Sequence, residues 1–411
     1  MNPRVGWFDA ARSWVQRWDA HVGAHLRSVE QAQHIAHRRV PAPVESYVEG
    51  GAGTEATLTA NLAAVRGMQF LPRVGVTSGP APDLSTTVLG TNLSVPFLLS
   101  PVGFTRMMHS AGDVAGAAAA SSAGTIFTLS AMSGHSMEEV LTAATSPSWF
   151  QLYFLGGRSG AEQMVARARD LRFGAIVVTM DTPIPGDRRR ESRYGLSPPL
   201  RFDRRTVTKM APFVAAHPSW LLDHALDGFQ LQLANALGLV HGGRPLTAED
   251  ALLQWLANPP TWEDIPWIRD QFGGPVIVKG VVTPADARRA VECGAAAVIV
   301  SNHGGRQLDG VPATFAALGG VVDAVGGDVE VLVDGGIRSG ADVVKAIALG
   351  ARAAMIGRAW AYGLCAAGQP GVERILSLIR EDVDRTMRLV GAASMRDIDS
   401  SIVQAPTAWI R

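Results

Sequence analysis

VEVLVDGGIRSGADVVKAIALGARAAMIGR, residues 329–358, holds one complete structural unit. An apolar run at 329–334 breaks into a glycine turn, an alanine-rich segment of helical spacing follows, and a second apolar run starts at 353. Continuous rather than alternating apolar runs mark strands buried on both faces, as in a parallel sheet, and parallel neighbours require a crossover, usually a helix. The unit recurs along the chain, with apolar runs at 95–101, 125–130, 149–154, 175–181, 275–279, 297–301, 329–334 and 353–357. PADARRAVECG, residues 284–294, is a second crossover of the same kind. Eight such units in one α/β chain predict a (β/α)8 TIM barrel.

Two segments stand outside the repeat. Residues 1–94 precede it, with helical VEQAQHIAHRRVP and glycine-rich YVEGGAGTE, and are expected to form a helical extension packed on the barrel. The barrel itself is expected over residues 95–390, with a tail at 391–411. Between Asp181 and Pro275 lies a long excursion, where a barrel loop normally takes about 2–6 residues. Its central part, about 186–262, reads as a lid over the C-terminal ends of the strands, where barrels keep their active sites.

Composition narrows the function classes. Lys+Arg and Asp+Glu both number 37 in 411 residues, so no basic field invites nucleic acid. Cys293 and Cys365 are the only cysteines and form no CxxC or Cys/His spacing, which favours a reducing compartment, core thiols and no structural metal. The N-terminal stretch is broken by Arg12, Arg17, Asp19 and Arg27, so it lacks the apolar core of a signal peptide. A cytoplasmic location follows as an expectation, with room for a peripheral one at the inner face of a membrane. Trp7, Trp14 and Trp18 could make an interfacial helix, but packing of that helix on the protein's own body is the favoured reading. HPSWLLDHAL, residues 217–226, is a second stretch that could touch a bilayer weakly.

Polar residues gain meaning from the strand ends. Ser130, Gln151 with Tyr153, Thr179 with Asp181, Lys279, and Ser301 with His303 and Arg306 should converge on one mouth. After the seventh and eighth runs, DGGIRSG and IGRA place Arg338 and Arg358 in glycine-rich turns, where barrels commonly build a phosphate site. A lone histidine at a strand end is usually a structural residue. One that sits beside Arg306 and opposite Asp181 is a candidate base.

SNHGGRQLDG, FQLY, TMDTP, VIVKGV, VDGGIRSGADVVKAIALGA and IGRAW, in this order and spacing, resemble the FMN-dependent L-2-hydroxy acid oxidase and dehydrogenase family. That family includes glycolate oxidase, lactate monooxygenase and the quinone-linked L-lactate dehydrogenases. The resemblance runs from about Val40 to about Gly391. It implies FMN as cofactor and His303 as the base that takes the substrate hydroxyl proton, with Asp181 stabilising the resulting imidazolium. It further implies that Arg306, Arg188 and Tyr47 hold the substrate carboxylate and that Tyr153 hydrogen-bonds the substrate oxygen. Among Arg188, Arg189 and Arg190, Arg188 is chosen by counting from Gly186. For the flavin the resemblance implies Pro101, Val102 and Gly103 beside N5, and Ser130, Gln151, Thr179, Lys279 and Ser301 along the polar edge. Asp334 falls to the ribityl chain, and Gly336, Arg338, Gly357 and Arg358 to the phosphate.

The expected reaction is oxidation of an L-2-hydroxy acid, L-lactate by preference, with electrons passed to a quinone or to oxygen; a homo-tetramer is implied by the resemblance alone. Met132 stands where glycolate oxidase has tryptophan, which suggests a roomier pocket. GFTRMMHSAGD and IGRAWAYGL look closest to the quinone-linked lactate dehydrogenases. Two rivals stand beside this reading: a Schiff-base aldolase using Lys279, which leaves the His-Gly-Gly-Arg cluster unexplained, and a family member that binds FMN but serves as a structural partner or acts on a larger or peptide substrate.

Overall fold

A computed structural model describes residues 3–77, 79, 81–195 and 204–406. Eight parallel strands close into a barrel: β1 (Phe97–Leu99), β2 (Phe127–Ser130), β3 (Ser148–Leu152), β4 (Ala175–Thr179), β5 (Val276–Val281), β6 (Ala297–Val300), β7 (Glu330–Val333) and β8 (Ala353–Ile356). Each apolar run of the sequence overlaps one strand. The ring closes where Ala354 pairs with Phe97, and Val276 pairs with Ile176 across the long insertion.

Side-chain parity sorts the barrel into two cores. Leu98, Ile126, Trp149, Val177, Ile277, Ile299, Leu332 and Met355 form an inner cluster, whereas Phe97, Leu99, Phe127, Ile176, Val298 and Val333 join the outer one under the helices. Strand residues alternate faces, so positions an even number beyond an inner residue also turn inward. That parity carries Ser100, Ser130, Gln151, Thr179, Lys279, Ser301 and Asp334 to the inside of the C-terminal mouth. At the opposite end a hairpin (Thr86–Val88 with Thr91–Leu93) adds Val88 and Leu93 to the inner cluster, and the Leu89 N–H donates to Glu330 at the start of β7.

Before the barrel come α1 (Pro3–His25), α2 (Val29–Arg39), α3 (Ala42–Glu49) and α4 (Ala56–Gly67). The buried Arg39–Asp19 ion pair ties α2 to α1, and His109 lies 3.1 Å from the same carboxylate. Helix α1 does pack on the body, but through Val15 and Val22, with Leu26 just past its end buried as well. Trp14 and Trp18 remain about half exposed, at 45% and 46%, stacked on one another, and the Trp7 side chain lies outside the described residues. In the insertion, α6 (Ala248–Ala257) brings Leu252 and Trp255 to the mouth, while α5 (Pro218–Leu226) packs on α1. HPSWLLDHAL spends its aromatic ring inward: Trp220 is buried and its indole N–H donates to the Met107 carbonyl at 2.9 Å.

Two further helices matter for the site, α7 (Gly340–Ala348) and α8 (Arg358–Val390), the latter broken at Ala367 and Gly368. Cys365 is buried in α8, where desolvation pushes its thiol up to about 12, while Cys293 is only partly buried; both are free thiols. Among the described residues, no helix is long and apolar enough to cross a membrane.

Candidate active site

A cavity opens at the C-terminal ends of the strands. Every site residue expected from the sequence lines it except Asp181 and Ser301, which stand directly behind its wall.

The loop after β6 supplies the centre. His303 adopts a left-handed backbone, φ 58°, followed by Gly304 and Gly305 at 63° and 76°. A non-glycine residue there is strained and needs its surroundings to hold it. Gly305 could carry no side chain, since a Cβ would lie 2.6 Å from the Leu58 nitrogen. The fold aims His303 at two partners: Nδ1 lies 3.0 Å from Asp181 Oδ1, and Nε2 lies 3.4 Å from the Tyr153 hydroxyl. A carboxylate only accepts, so Nδ1 carries the proton and neutral His303 keeps a bare Nε2. Burial holds this imidazole below its ordinary 6.5, against the opposing pull of Asp181. Burial pushes Asp181 the other way, but His303 and Lys279 outweigh it and keep the carboxylate below its usual range. Desolvation raises Tyr153, with Asp181 adding to it, so its hydroxyl stays protonated.

The arginine run divides by exposure. Arg188 is turned inward, at 18% exposed, while Arg189 pairs outside with Asp187 and Arg190 with Glu55. Arg306 donates to the carbonyls of Tyr47 and Gly50 and to Glu191 at 2.9 Å, and lies 4.7 Å over the Tyr47 ring. Those bonds leave its Nε–H and one Nη2–H without a partner among the described residues. Arg188 is held more loosely, with bonds of 3.4 Å to the Arg306 carbonyl and 3.3 Å to Gln307. The Tyr47 hydroxyl donates to the Gly103 carbonyl at 3.1 Å. Met132 crowds the same place, where a Cβ on Gly103 would lie 2.9 Å from its own Cβ.

A relay of polar groups crosses the barrel mouth. Ser130 donates to Gln151 at 2.9 Å, and Gln151 donates to Thr179 at 3.0 Å. Lys279 donates to Ser301 at 2.7 Å and pairs with Asp334 at 3.0 Å. Burial works against its charge, but Asp334 and Asp181 outweigh that and hold its pKa above the ordinary value.

Comparison with known proteins decides the class. The family model for FMN-dependent dehydrogenases matches residues 36–405. The chain belongs to the FMN-dependent dehydrogenase family. It is 41% identical over 393 residues to the pre-mycofactocin synthase of Mycobacterium tuberculosis, covering 94% of this chain and 97% of that one. It is 42% identical over 374 residues to the L-lactate dehydrogenase of Pectobacterium atrosepticum, covering 90% and 95%. Among solved structures it resembles a monotopic membrane (S)-mandelate dehydrogenase, with a TM-score of 0.83 and 33% identity over 93% of this chain and all of that one. As a member of this family it is an FMN-dependent oxidoreductase.

The cavity suits FMN on its own chemistry. Among the described residues, Lys279, Arg188, Arg306, Arg338 and Arg358 line it against only Glu191 and Asp334, a surplus of positive charge fit for a phosphate and a carboxylate. Ser100 Oγ and Asp334 Oδ1 are buried on its wall without hydrogen-bond partners, as expected where a ligand satisfies them. Helix α7 has its own cap, Ser339 with Asp342, but α8 starts at Gly357 with no side-chain cap. An uncapped helix N-terminus is a ready anion site. Arg358 itself is largely committed, donating to the carbonyls of Val48, Gly304 and Gly50, whereas among the described residues the Arg338 guanidinium donates only to the Ile337 carbonyl.

Sequence reasoning missed several wall residues. Glu191 is buried three residues beyond Arg188, a helical spacing that the arginine run obscured. Leu252 and Trp255 reach the cavity from α6, whose start was legible as a Thr247–Asp250 capping box. Asn61 and Asn302 exchange amide hydrogen bonds at 2.8 and 2.9 Å, tying α4 to the His303 loop; nothing in their spacing, 241 residues apart, announces the pair.

Proposed function

We propose that this protein oxidises an L-2-hydroxy acid to the 2-keto acid with His303 as base, and that a quinone rather than oxygen takes the electrons. The observation that carries the reading is the His303–Asp181 pair, with Nε2 bare and facing Tyr153 inside a cation-rich cavity. The free edge of Arg306 and the loosely held Arg188 bind the substrate carboxylate, helped by Tyr47. The 3.4 Å gap between Tyr153 and Nε2 is long for a hydrogen bond, and a substrate hydroxyl would bridge it. His303 takes that hydroxyl's proton, and Asp181 stabilises the imidazolium. Tyr153, still protonated, donates to the developing carbonyl oxygen.

FMN, when bound, supplies the two-electron acceptor. Ser130, Gln151, Thr179, Ser301 and Lys279 would hold its ring beside Pro101, Val102 and Gly103. Asp334 would hold the ribityl hydroxyls, and Gly336, Arg338, Gly357 and Arg358 the phosphate. The homo-tetramer rests on the family resemblance, the cytoplasmic or peripheral location on the cysteine usage and the interrupted N-terminal stretch, and the expectation of no nucleic-acid partner on the balanced charge; all three belong to the same proposal.

L-lactate is the reference substrate, supported by the similarity to an L-lactate dehydrogenase. A second reading, an acid with a larger side chain, is favoured by the apolar wall of Met107, Met132, Leu252 and Trp255 and by the likeness to a mandelate dehydrogenase. The test is the anaerobic visible spectrum of the FMN-loaded protein with L-lactate or (S)-mandelate, followed by air. Bleaching by either acid that persists in air supports a dehydrogenase, and the faster acid names the side-chain class. Rapid recolouring in air assigns an oxidase, and flavin untouched by both acids overturns the proposal.

A further inference from the structure

Trp255 is the lid residue set against the reacting pair. Its ring centroid lies 4.9 Å from that of Tyr153, whose hydroxyl faces His303, and it lines the cavity while only 6% exposed. Its indole N–H is nevertheless buried with no hydrogen-bond partner among the described residues. Buried donors are nearly always paired, and an orphan beside a ligand cavity calls for a reason. The ring packs well and the helix under it is properly capped, so nothing in the local fold accounts for the unused donor.

Resting on the larger-substrate reading above, we infer that Trp255 is a specificity-determining residue whose N–H donates to a neutral acceptor atom, a hydroxyl or carbonyl oxygen, on the substrate's side chain. The acceptor is neutral because, among the described residues, Met107, Met132 and Leu252 on that wall offer no cation to a second carboxylate. The inward arginines are placed to take the carboxylate at C1. A plain alkyl or phenyl side chain fits the same wall but leaves the donor unsatisfied. Discrimination therefore comes from a bond made or lost and not from size, and bonds of this kind separate analogues more sharply than an added methylene does.

The probes are phenylacetate and its 3- and 4-hydroxy derivatives, titrated into the FMN-loaded protein and read by flavin absorbance. They carry the carboxylate and ring but no oxidisable hydroxyl at C2. Wild type should bind at least one hydroxy derivative about tenfold more tightly than phenylacetate. Trp255→Phe, which keeps an aromatic ring and removes the N–H, should abolish that preference while FMN content stays unchanged. Equal binding of all three by wild type, or a preference that survives in the variant, overturns the assignment. The same variant is then tested for anaerobic bleaching by L-3-phenyllactate and L-3-(4-hydroxyphenyl)lactate. Discriminating binding without bleaching by either would sink the larger-substrate reading and keep the donor. Bleaching by both, without discrimination in wild type, would sink the donor and keep the reading.

Discussion

On the barrel side of the cavity, Ser130, Gln151, Thr179 and Lys279 are delivered by strands whose inner residues are completely buried. On the lid side, Leu252 and Trp255 ride a ten-residue helix laid across the mouth by an insertion. The strand-borne groups are fixed twice over, by parity along each strand and by hydrogen bonds to the next strand's side chain. Those from the lid are fixed by packing of one helix face. Chemistry held on the barrel and selectivity held on the lid is the arrangement that follows, and each half can be broken separately.

The sharpest break is at His303. His303→Gln should lower the rate of anaerobic flavin reduction by about 10²- to 10⁴-fold, the usual worth of a positioned base, with FMN content unchanged. A variant that still bleaches rapidly in stopped flow moves the base elsewhere. Lys279→Met attacks the barrel side through stability. It strips the buried Asp334 and Asp181 carboxylates of their cation, and breaking a buried pair costs about 3–5 kcal/mol. Urea unfolding of the FMN-free variant should show that loss; an unchanged midpoint would mean that Lys279 is not what makes these carboxylates tolerable.

Acidity tests the same half more gently. His303 lies below 6.5, so kcat/KM should rise with pH through a limb below that value and be flat at neutrality, where the bare base predominates. Because Asp181 raises the imidazole's pKa, Asp181→Asn should move that limb to still lower pH while the plateau falls. A limb that moves upward instead would show that Asp181 does not act through His303.

The two halves also differ in how they can be read from sequence. Period-two alternation carries from Leu98 to Ser100 or from Ile277 to Lys279 without reference to anything else in the chain, so the strand-end residues were legible once the runs were counted. Helical spacing names the face that is apolar but not what it meets. Leu252 and Trp255, three apart on α6, were as consistent with ordinary core as with a cavity wall. Trp14 and Trp18 show the converse, since α1 buries its aliphatic residues and leaves the indoles half exposed. Backbone strain is equally hidden: HGG hints at a turn, but the left-handed φ of His303 itself depends on the groups packed around it.

The smallest expected effect is the most local, and it lies where lid and barrel meet. Arg188 and Arg189 are adjacent in sequence, yet only Arg188 faces the cavity, and Arg189 is 61% exposed beside an equally exposed Asp187. An exposed pair of that kind contributes little. Arg189→Ala should therefore change stability by less than about 0.5 kcal/mol and leave KM where it was, whereas Arg188→Ala should raise KM for every 2-hydroxy acid by a similar factor, since all share the carboxylate. Leu252→Val, which removes one methylene from the wall, should instead lower kcat/KM for (S)-mandelate by about tenfold and scarcely touch L-lactate. Uniform loss in one variant and selective loss in the other is the signature of a carboxylate clamp distinct from a side-chain wall. If Arg189→Ala raises KM as Arg188→Ala does, the inward position is not what selects the arginine, and the lid takes part in the chemistry that the comparison reserves for the barrel.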